Sequence, residues 1–438
     1  MMQDTTDRLR YPCSANPRHI PTGRRASRSL SVPPDSVVGM RILHTSDWHI
    51  GRTFHGVDLL ADQGAALESI AKLVAAQSID VVVVPGDIYD RAVPSADAVV
   101  LCNRGLEAIR AAGAVIVATS GNHDSPARLG AGAAFASAGG LHLMTRVGDV
   151  ATPVVIGDEH GEVAFYGIPY LEPETTRLEL DVPTARTHAE VLGAAMDRVR
   201  ADLAARTAAG QRVRSVVLAH AFIVGGEATG SERSISSGGI ETAPASAFDG
   251  VDYVALGHLH SPQVLTDRVR YSGSPLPYSF GERSHRKAVW ILELDADGLG
   301  SVERVDLPVV RGLARIEGTV EELLSDAAYS GVEDHYVSAV LTDDVRPVDA
   351  MRLLQQRFRH AIHLEWRRPE GSAELRYRDR VRGRSDIAIA TSFLTDMRSE
   401  PTEAESALLA RALASVQREN EVADGSAADR RVADRGAA

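Results

Sequence analysis

Five short motifs follow one another down the chain, and each places metal-ligating side chains just past a run of apolar residues. They are Asp47-Trp48-His49, Gly86-Asp87-Ile88-Tyr89-Asp90, Gly121-Asn122-His123-Asp124, Ala219-His220 and Gly257-His258-Leu259-His260. Mixed oxygen and imidazole donors suit divalent manganese, iron or zinc better than calcium. Cysteine is absent from all five, which argues against a structural zinc site. Two such metals, roughly 3.5–4 Å apart, activate water and stabilise a leaving oxygen, so the chemistry indicated is hydrolysis of a phosphate ester. Cations that close need a shared carboxylate. Asp87, in a Gly-Asp turn after a fully apolar run, is the best candidate for that bridge. Asp47, His49 and His260 then complete the first metal site, and Asn122, His220 and His258 the second. His123 stands beside a ligand, and an imidazole with a pKa near neutrality suits protonation of a leaving alcohol. Asp124 would orient that imidazole or the local loop.

Those side chains converge only if the elements beneath them do. The runs Ile42-Leu43, Val81 to Val84, Val115 to Ala118, Val216 to Leu218 and Tyr253 to Leu256 have strand length. Ligands at the carboxyl ends of successive strands meet on one rim of a sheet. A lone Asp-x-His or His-x-His belongs more often to a solvated turn. Five pieces in order, each after an apolar run, do not arise that way. Helical periodicity over Ala65 to Ala76 and Ala96 to Ala111 falls between motif-bearing strands, with Ser95 as N-cap of the second helix. A further helix is expected within Thr184 to Ala208. Ile223 to Ile240, rich in Gly, Ser and Glu, reads as a mobile loop after His220.

Beyond Pro308 the pattern changes to a small α+β module. Its strands are expected at Leu313 to Val320, Tyr336 to Thr342 and Ile362 to Arg368, with a helix over Val348 to His360. Helical patterns follow at Asp386 to Met397 and Glu403 to Glu419, the latter with Leu408, Leu409, Leu413 and Val416 on one side. The expected organisation is a disordered extension over 1–39, a metal-binding domain over 40–307 and a capping module over 308–375. C-terminal helices over 384–421 and a disordered tail over 422–438 complete it. Met40, immediately before the first strand, reads as the natural start.

Composition bounds the partners. The chain has 438 residues, a formal charge of −12 and only two cysteines, Cys13 and Cys102. No disulfide framework is implied, and a reducing cytoplasm fits. No stretch has the continuous apolar length of a membrane span. Global acidity counts against simple coating of nucleic acid, but not against a metal-dependent nuclease with local basic surface. Outside the motifs, His44 reads as a satisfied buried imidazole, His55 as a solvated loop residue and Cys102 as a small buried apolar side chain. His142, His160, His188, His285, His335, His360 and His363 have no motif context.

At these residues the chain resembles the calcineurin-like metallophosphoesterase superfamily and, within it, the SbcD nuclease subunits of bacterial SbcCD exonucleases. The opening Arg41-Ile-Leu-His-Thr-Ser-Asp-Trp-His-Ile-Gly-Arg52 carries the likeness, with Gly257-His-Leu-His260, Tyr271-Ser-Gly-Ser-Pro275, Ser279-Phe-Gly-Glu282, Gly225-Gly-Glu227 and Ser231-Glu-Arg233. The resemblance implies a β-sandwich flanked by helices, an α+β cap and C-terminal helices that dock on an SbcC-type ATPase. It also implies manganese-dependent cleavage of double-stranded DNA ends, single strands and hairpins in DNA repair, recombination and replication. Asp47, His49, Asp87, Asn122, His220, His258 and His260 match the family's metal ligands, and His123 its catalytic histidine. The helices within Leu60 to Gln77 and Pro94 to Ala111 would form a homodimer interface within a heterotetramer. Asp90 stands where archaeal and eukaryotic relatives carry histidine. The motifs leave open a phosphatase or cyclic-nucleotide phosphodiesterase of the same fold, or a non-catalytic scaffold at DNA ends.

Overall fold

The run Val81 to Val84 has no polar alternation because both faces of its strand are covered, and that fact organises the molecule. The computed structural model describes residues 39–210, 213–229, 231–232, 242–367, 383–397, 400–416 and 418. Of the segments expected to be disordered, residues 1–38 and 422–438 lie outside these residues, as do 419–421 of the expected C-terminal helices and much of the loop after Ile223.

Two six-stranded sheets stack face to face. From edge to edge, the first contains Gly298–Asp306, Ala288–Asp295, Met40–His44, Val81–Pro85, Val115–Thr119 and Leu141–Met144. The second contains Gln263–Val264, Val269–Tyr271, Tyr253–Gly257, Arg214–His220, Gly161–Ile168 and Val154–Asp158. Within each sheet the motif-bearing strands run parallel to one another, so their carboxyl ends share a rim. Ile42, Val81, Val83 and Val117 pack between the sheets against Phe165, Val216, Leu218 and Tyr253. On the outer face of the first sheet, Leu43, Val82 and Val84 meet Leu67, Ile70, Val74, Cys102 and Ile109 of helices Leu60–Ala76 and Ala96–Ala111. Helix His188–Ala208 covers the outside of the second. This is the mixed α/β sandwich the resemblance implies.

Local chemistry sets the boundaries. Ser95 accepts a hydrogen bond from the Ala98 amide, the expected cap. The first helix starts at Leu60, before the Ala65 of the expectation, because Asp58 accepts the Leu60 amide at 2.7 Å. A capping box of Thr187 and Glu190 starts the long helix at His188. His44 is fully buried between the sheets, satisfied by the Tyr253 hydroxyl and the Leu256 carbonyl at 3.1 Å each.

The C-terminal module is a parallel sheet of Leu313–Gly318, Tyr336–Leu341 and Ala361–Trp366. One face packs on short helices Val320–Ser325 and Ala350–Leu354. The expected helix over Val348 to His360 is only five residues long. Its apolar periodicity continues to Phe358, which fills the cap core after the backbone has turned toward the last strand. Asp386–Met397 is helical, as are residues 403–416.

The other face of the cap sheet meets the sandwich. Tyr336, Leu313 and Ile362 pack with Phe54, Leu59, Leu276 and Tyr278, and the Tyr336 hydroxyl donates to Asp62 at 2.8 Å. Phe54→Ala in this cluster is expected to cost about 3–5 kcal/mol, read as a lowered denaturant midpoint. A loss under about 1 kcal/mol would show that the cluster does not hold the cap.

Candidate active site

The motif turns hold their side chains by unusual backbone. Asp47, His49, Asp87 and His258 have φ of 53°, 45°, 49° and 111°. Asp and His tolerate the left-handed region better than most residues, but such conformations still cost free energy. Neighbouring hydrogen bonds offset that cost. The His49 amide donates to the Asp87 carbonyl at 3.0 Å, the His258 amide to Asp47 Oδ1 at 3.0 Å and the His123 amide to Asp87 Oδ1 at 2.9 Å. Glycine is needed where these turns cross: a Cβ on Gly121 would run into the Asp87 carboxylate, and one on Gly86 into the His220 ring.

All seven side chains expected to bind metal come together. Donor atoms of Asp47, His49 and His260 lie within 4.8 Å of one another, as do those of Asp47, Asp87 and His220. Asp87 Oδ2 stands between the two halves, 3.6 Å from His49 Nε2 and 3.4 Å from His220 Nε2. Asn122 Oδ1 is 2.9 Å from His220 Nε2, and the His258 ring lies 5.3 Å from that of His220. Asp47, His49, Asp87, His220, His258 and His260 are buried, with Asn122 half-buried at the edge.

Hydrogen bonds on the far side of each ring set the tautomers. His220 Nδ1 faces the Pro85 carbonyl at 2.9 Å and must donate to it, which directs Nε2 at the cluster. His260 Nδ1 meets Ser231 Oγ at 2.6 Å, and that hydroxyl donates to Glu282 Oε1 at 2.6 Å. The serine therefore accepts from Nδ1–H and leaves a lone pair on His260 Nε2. Lys287, buried and paired with Glu282, also donates to the His260 carbonyl at 2.7 Å.

The donors outnumber the protons available to them. His260 Nε2 and His49 Nε2 face each other at 3.0 Å, while buried His49 Nδ1 has no hydrogen-bond partner. Burial holds both rings well below the usual histidine pKa. Burial also pushes Asp47 up to about 8, with the Asp87 charge adding to it. Burial opposes charge on His220, but the Asp87 carboxylate outweighs it and raises the ring to about 9. Protons thus stand in where cations are wanted. Carboxylate oxygens, a carboxamide oxygen and imidazole lone pairs in one buried volume fit a pair of divalent metals.

His123 is on the edge of this cluster, its ring 4.6 Å from that of His49. Its Nδ1 donates to the Asp90 backbone carbonyl at 2.8 Å. Of the two roles open to Asp124, the geometry selects the loop. Its carboxylate accepts the amides of Gly121, Ile88 and Tyr89 at 2.9–3.1 Å and so ties the third motif to the second. The Asp90 side chain lies 3.6 Å from His49 Nδ1 and 3.8 Å from Arg52 Nε.

Sequence reasoning missed the supports. Gln63 donates to the His49 carbonyl at 2.7 Å and accepts the Gly51 amide at 3.0 Å, bracketing the left-handed turn. Its signal was a polar residue on the buried face of an apolar helix. The Tyr278 hydroxyl donates to the Trp48 carbonyl. Ser231 and Glu282 lie in motifs already noted, but nothing in their spacing links them to His260.

Residues 40–262 match the profile of calcineurin-like phosphoesterases. The chain belongs to that family. A second match, to the type 5 capsule protein repressor C-terminal domain, covers residues 309–398. The pair is consistent with an SbcD-type subunit. Among solved structures, the chain is similar to TT1561 of Thermus thermophilus, at 14% identity and TM-score 0.37 over 62% of this chain and 100% of that one. A dimetal phosphatase from Danio rerio gives 14% and 0.39 over 62% and 99%. GAP50, the anchor in the inner membrane complex of Plasmodium, gives 11% and 0.35 over 77% and 99%. No helix among the described residues is long and apolar enough to cross a membrane.

In this calcineurin-like phosphoesterase the Ser231 hydroxyl is expected to set the His260 tautomer. Ser231→Ala should lower manganese affinity about 10–100-fold in calorimetric titration. Unchanged affinity would remove Ser231 from the site.

Proposed function

We propose that this chain is the nuclease subunit of an SbcCD-type complex: a metal-dependent phosphodiester hydrolase acting on DNA ends, single strands and hairpins. The observation that carries it is the convergence of seven donors, six of them buried, beside His123, in a calcineurin-like phosphoesterase followed by the second matched domain. Asp47, His49 and His260 would hold one divalent ion and Asn122, His220 and His258 the other, with Asp87 shared between them. Two such ions, manganese in our reading, would polarise the phosphoryl oxygens and lower the pKa of an attacking water.

The remaining work falls to side chains of the protein. The Asp90 carbonyl fixes His123 Nδ1–H, so the protonated ring presents Nε2–H outward. As the phosphorus–oxygen bond breaks, that proton passes to the departing oxygen and leaves a neutral imidazole. Arg52, stacked over Tyr278 at 4.8 Å, supplies fixed positive charge near the scissile phosphate. Asp124 acts by holding the loop on which His123 sits.

Partner assembly rests on exposed apolar surface. Phe393, Leu408 and Val416 on the C-terminal helices are 53%, 60% and 53% exposed, which suits docking to an SbcC-type ATPase. Val99 and Val100 are exposed on helix Ala96–Ala111, where a homodimer contact is expected. A phosphatase or cyclic-nucleotide phosphodiesterase would share the metal cluster, but its small substrate would not need these surfaces. A scaffold would not need the full donor set.

The purified chain with its ATPase partner is expected to degrade linear duplex DNA with manganese. Robust turnover of a phosphopeptide or cyclic nucleotide, with none on DNA, would sink the nuclease reading. His123→Gln should reduce cleavage at least about 100-fold, and Asp87→Asn should abolish it, with partner binding intact in both. Normal cleavage by either variant would refute the assigned mechanism.

A further inference from the structure

Beside the metal-binding cluster lies a cleft of about 480 Å³ between the sandwich and the cap. Its size suits a nucleotide-sized ligand and cannot admit a duplex. The cap contributes a row of register partners, one from each strand: Arg315 opposite Ser338, and Ser338 opposite His363. These polar residues lie beyond Tyr336 on the face turned toward the sandwich, where packing alone would favour apolar ones. Ser338 Oγ meets His363 Nδ1 at 2.9 Å and fixes the plane of that ring.

Opposite stands a cluster of rings. His55, in the turn between Thr53–Phe54 and Val57–Asp58, lies 4.6 Å from the His363 ring and 5.4 Å from Phe280. Phe280 lies 6.3 Å from His363 and is backed by Phe54 at 4.8 Å. His55 has φ of +47° in its turn and is exposed. A strained backbone that presents an aromatic ring to solvent calls for an explanation. Partial burial, and after it the neighbouring His363, lowers the His55 pKa, which favours the neutral ring.

Cations line the cleft with the rings, and of these Arg315 is paired with Glu365 at 3.5 Å. Arg52 and Arg283 line the same cleft, and Arg283 pairs with no carboxylate among the described residues. The cleft also shares walls with the metal-binding cluster. Ser231 lines it and bonds His260, and the Tyr278 ring lies 5.5 Å from His49 and 5.6 Å from His260. A π-surface edged by guanidinium groups and opening beside a phosphodiesterase centre matches a base with its phosphate.

We propose that this cleft holds an unpaired nucleotide of the substrate strand, its base stacked on His55, Phe280 and His363 and its phosphate toward Arg283. The inference rests on the nuclease reading and deepens it. It specifies a strand end or loop whose base has left the duplex, read by stacking and hence with little regard to sequence. His55 and His363 come from the sandwich and the cap, so the cap completes the platform.

The test uses the full chain, manganese and a short oligodeoxythymidylate with one 2-aminopurine and cleavage-resistant phosphorothioate links. Wild type should quench the 2-aminopurine. The His55→Ala/His363→Ala double variant should lose the quenching and bind about tenfold more weakly by anisotropy. Phe at both positions should restore both signals. Turnover of bis(p-nitrophenyl) phosphate, too small to need the cleft, should be equal in all three. Equal turnover with wild-type quenching and affinity in the double alanine variant would overturn the cleft and leave the phosphodiesterase standing. So would loss of binding that phenylalanine does not restore. No turnover by wild type would bring down the phosphodiesterase reading, and the cleft's role with it.

Discussion

The structure turns on one electrostatic constraint: six side chains that could bind metal are buried at the rim, and together they carry more lone pairs than protons. An unpaired carboxylate in low dielectric is costly, and two carboxylates in one volume are costlier. The protein accepts this at Asp47 and Asp87, and the consequences appear as a raised carboxyl, a charged His220 and a His49 nitrogen without a hydrogen bond. Packing cannot relieve such a site. A cation can, and metal binding is then coupled to the stability of the fold around it.

The sandwich is a way of meeting that constraint. The first sheet supplies Asp47, His49, Asp87 and Asn122, and the second supplies His220, His258 and His260. Both carboxylates thus sit on one side of the seam with His49, and the other three imidazoles on the other, joined across it where Asp87 meets His220. Parallel strands bring the turns to one edge, and glycines let those turns cross at backbone contact. Neither sheet alone holds a complete donor set. The apolar contact of Val81, Val83 and Val117 with Phe165, Val216 and Leu218 is therefore a condition for the chemistry, not only for stability.

What could be read in the sequence followed from local rules. Apolar runs ending in Asp, Asn or His marked the strand ends, and periodicity with Ser95 marked a helix, because each signal lies within a few residues. The seven donors were legible for the same reason. Asp124 was only half legible: its acceptor role is common to both readings, and its choice of the loop depends on amides 35 and 36 positions away in sequence. Gln63 left only a polar residue on an apolar helix face as its signal, and Ser231 and Lys287 were out of reach, since each matters through a partner brought near by folding. The cap helix was overread because burial of Phe358 extends the helical pattern past the point where the backbone turns.

The supports also show how selection of substrate can be separated from hydrolysis. Lys287, at the edge of a central strand, holds Glu282, which holds Ser231, which sets His260. Ser231 and the segment Tyr278 to Gly281 form the near wall of the cleft under the cap. One face of this wall fixes a donor at the rim and the other faces whatever enters between cap and sandwich. A ligand there presses on groups already satisfied by hydrogen bonds, so it can be oriented without disturbing the donor geometry. The outer ring cluster is built from His55, Phe280 and His363, none of which touches the seven donors through a hydrogen bond among the described residues. Substitutions in the cap can therefore change what the cleft admits while the buried donors, held by the two sheets, stay the same.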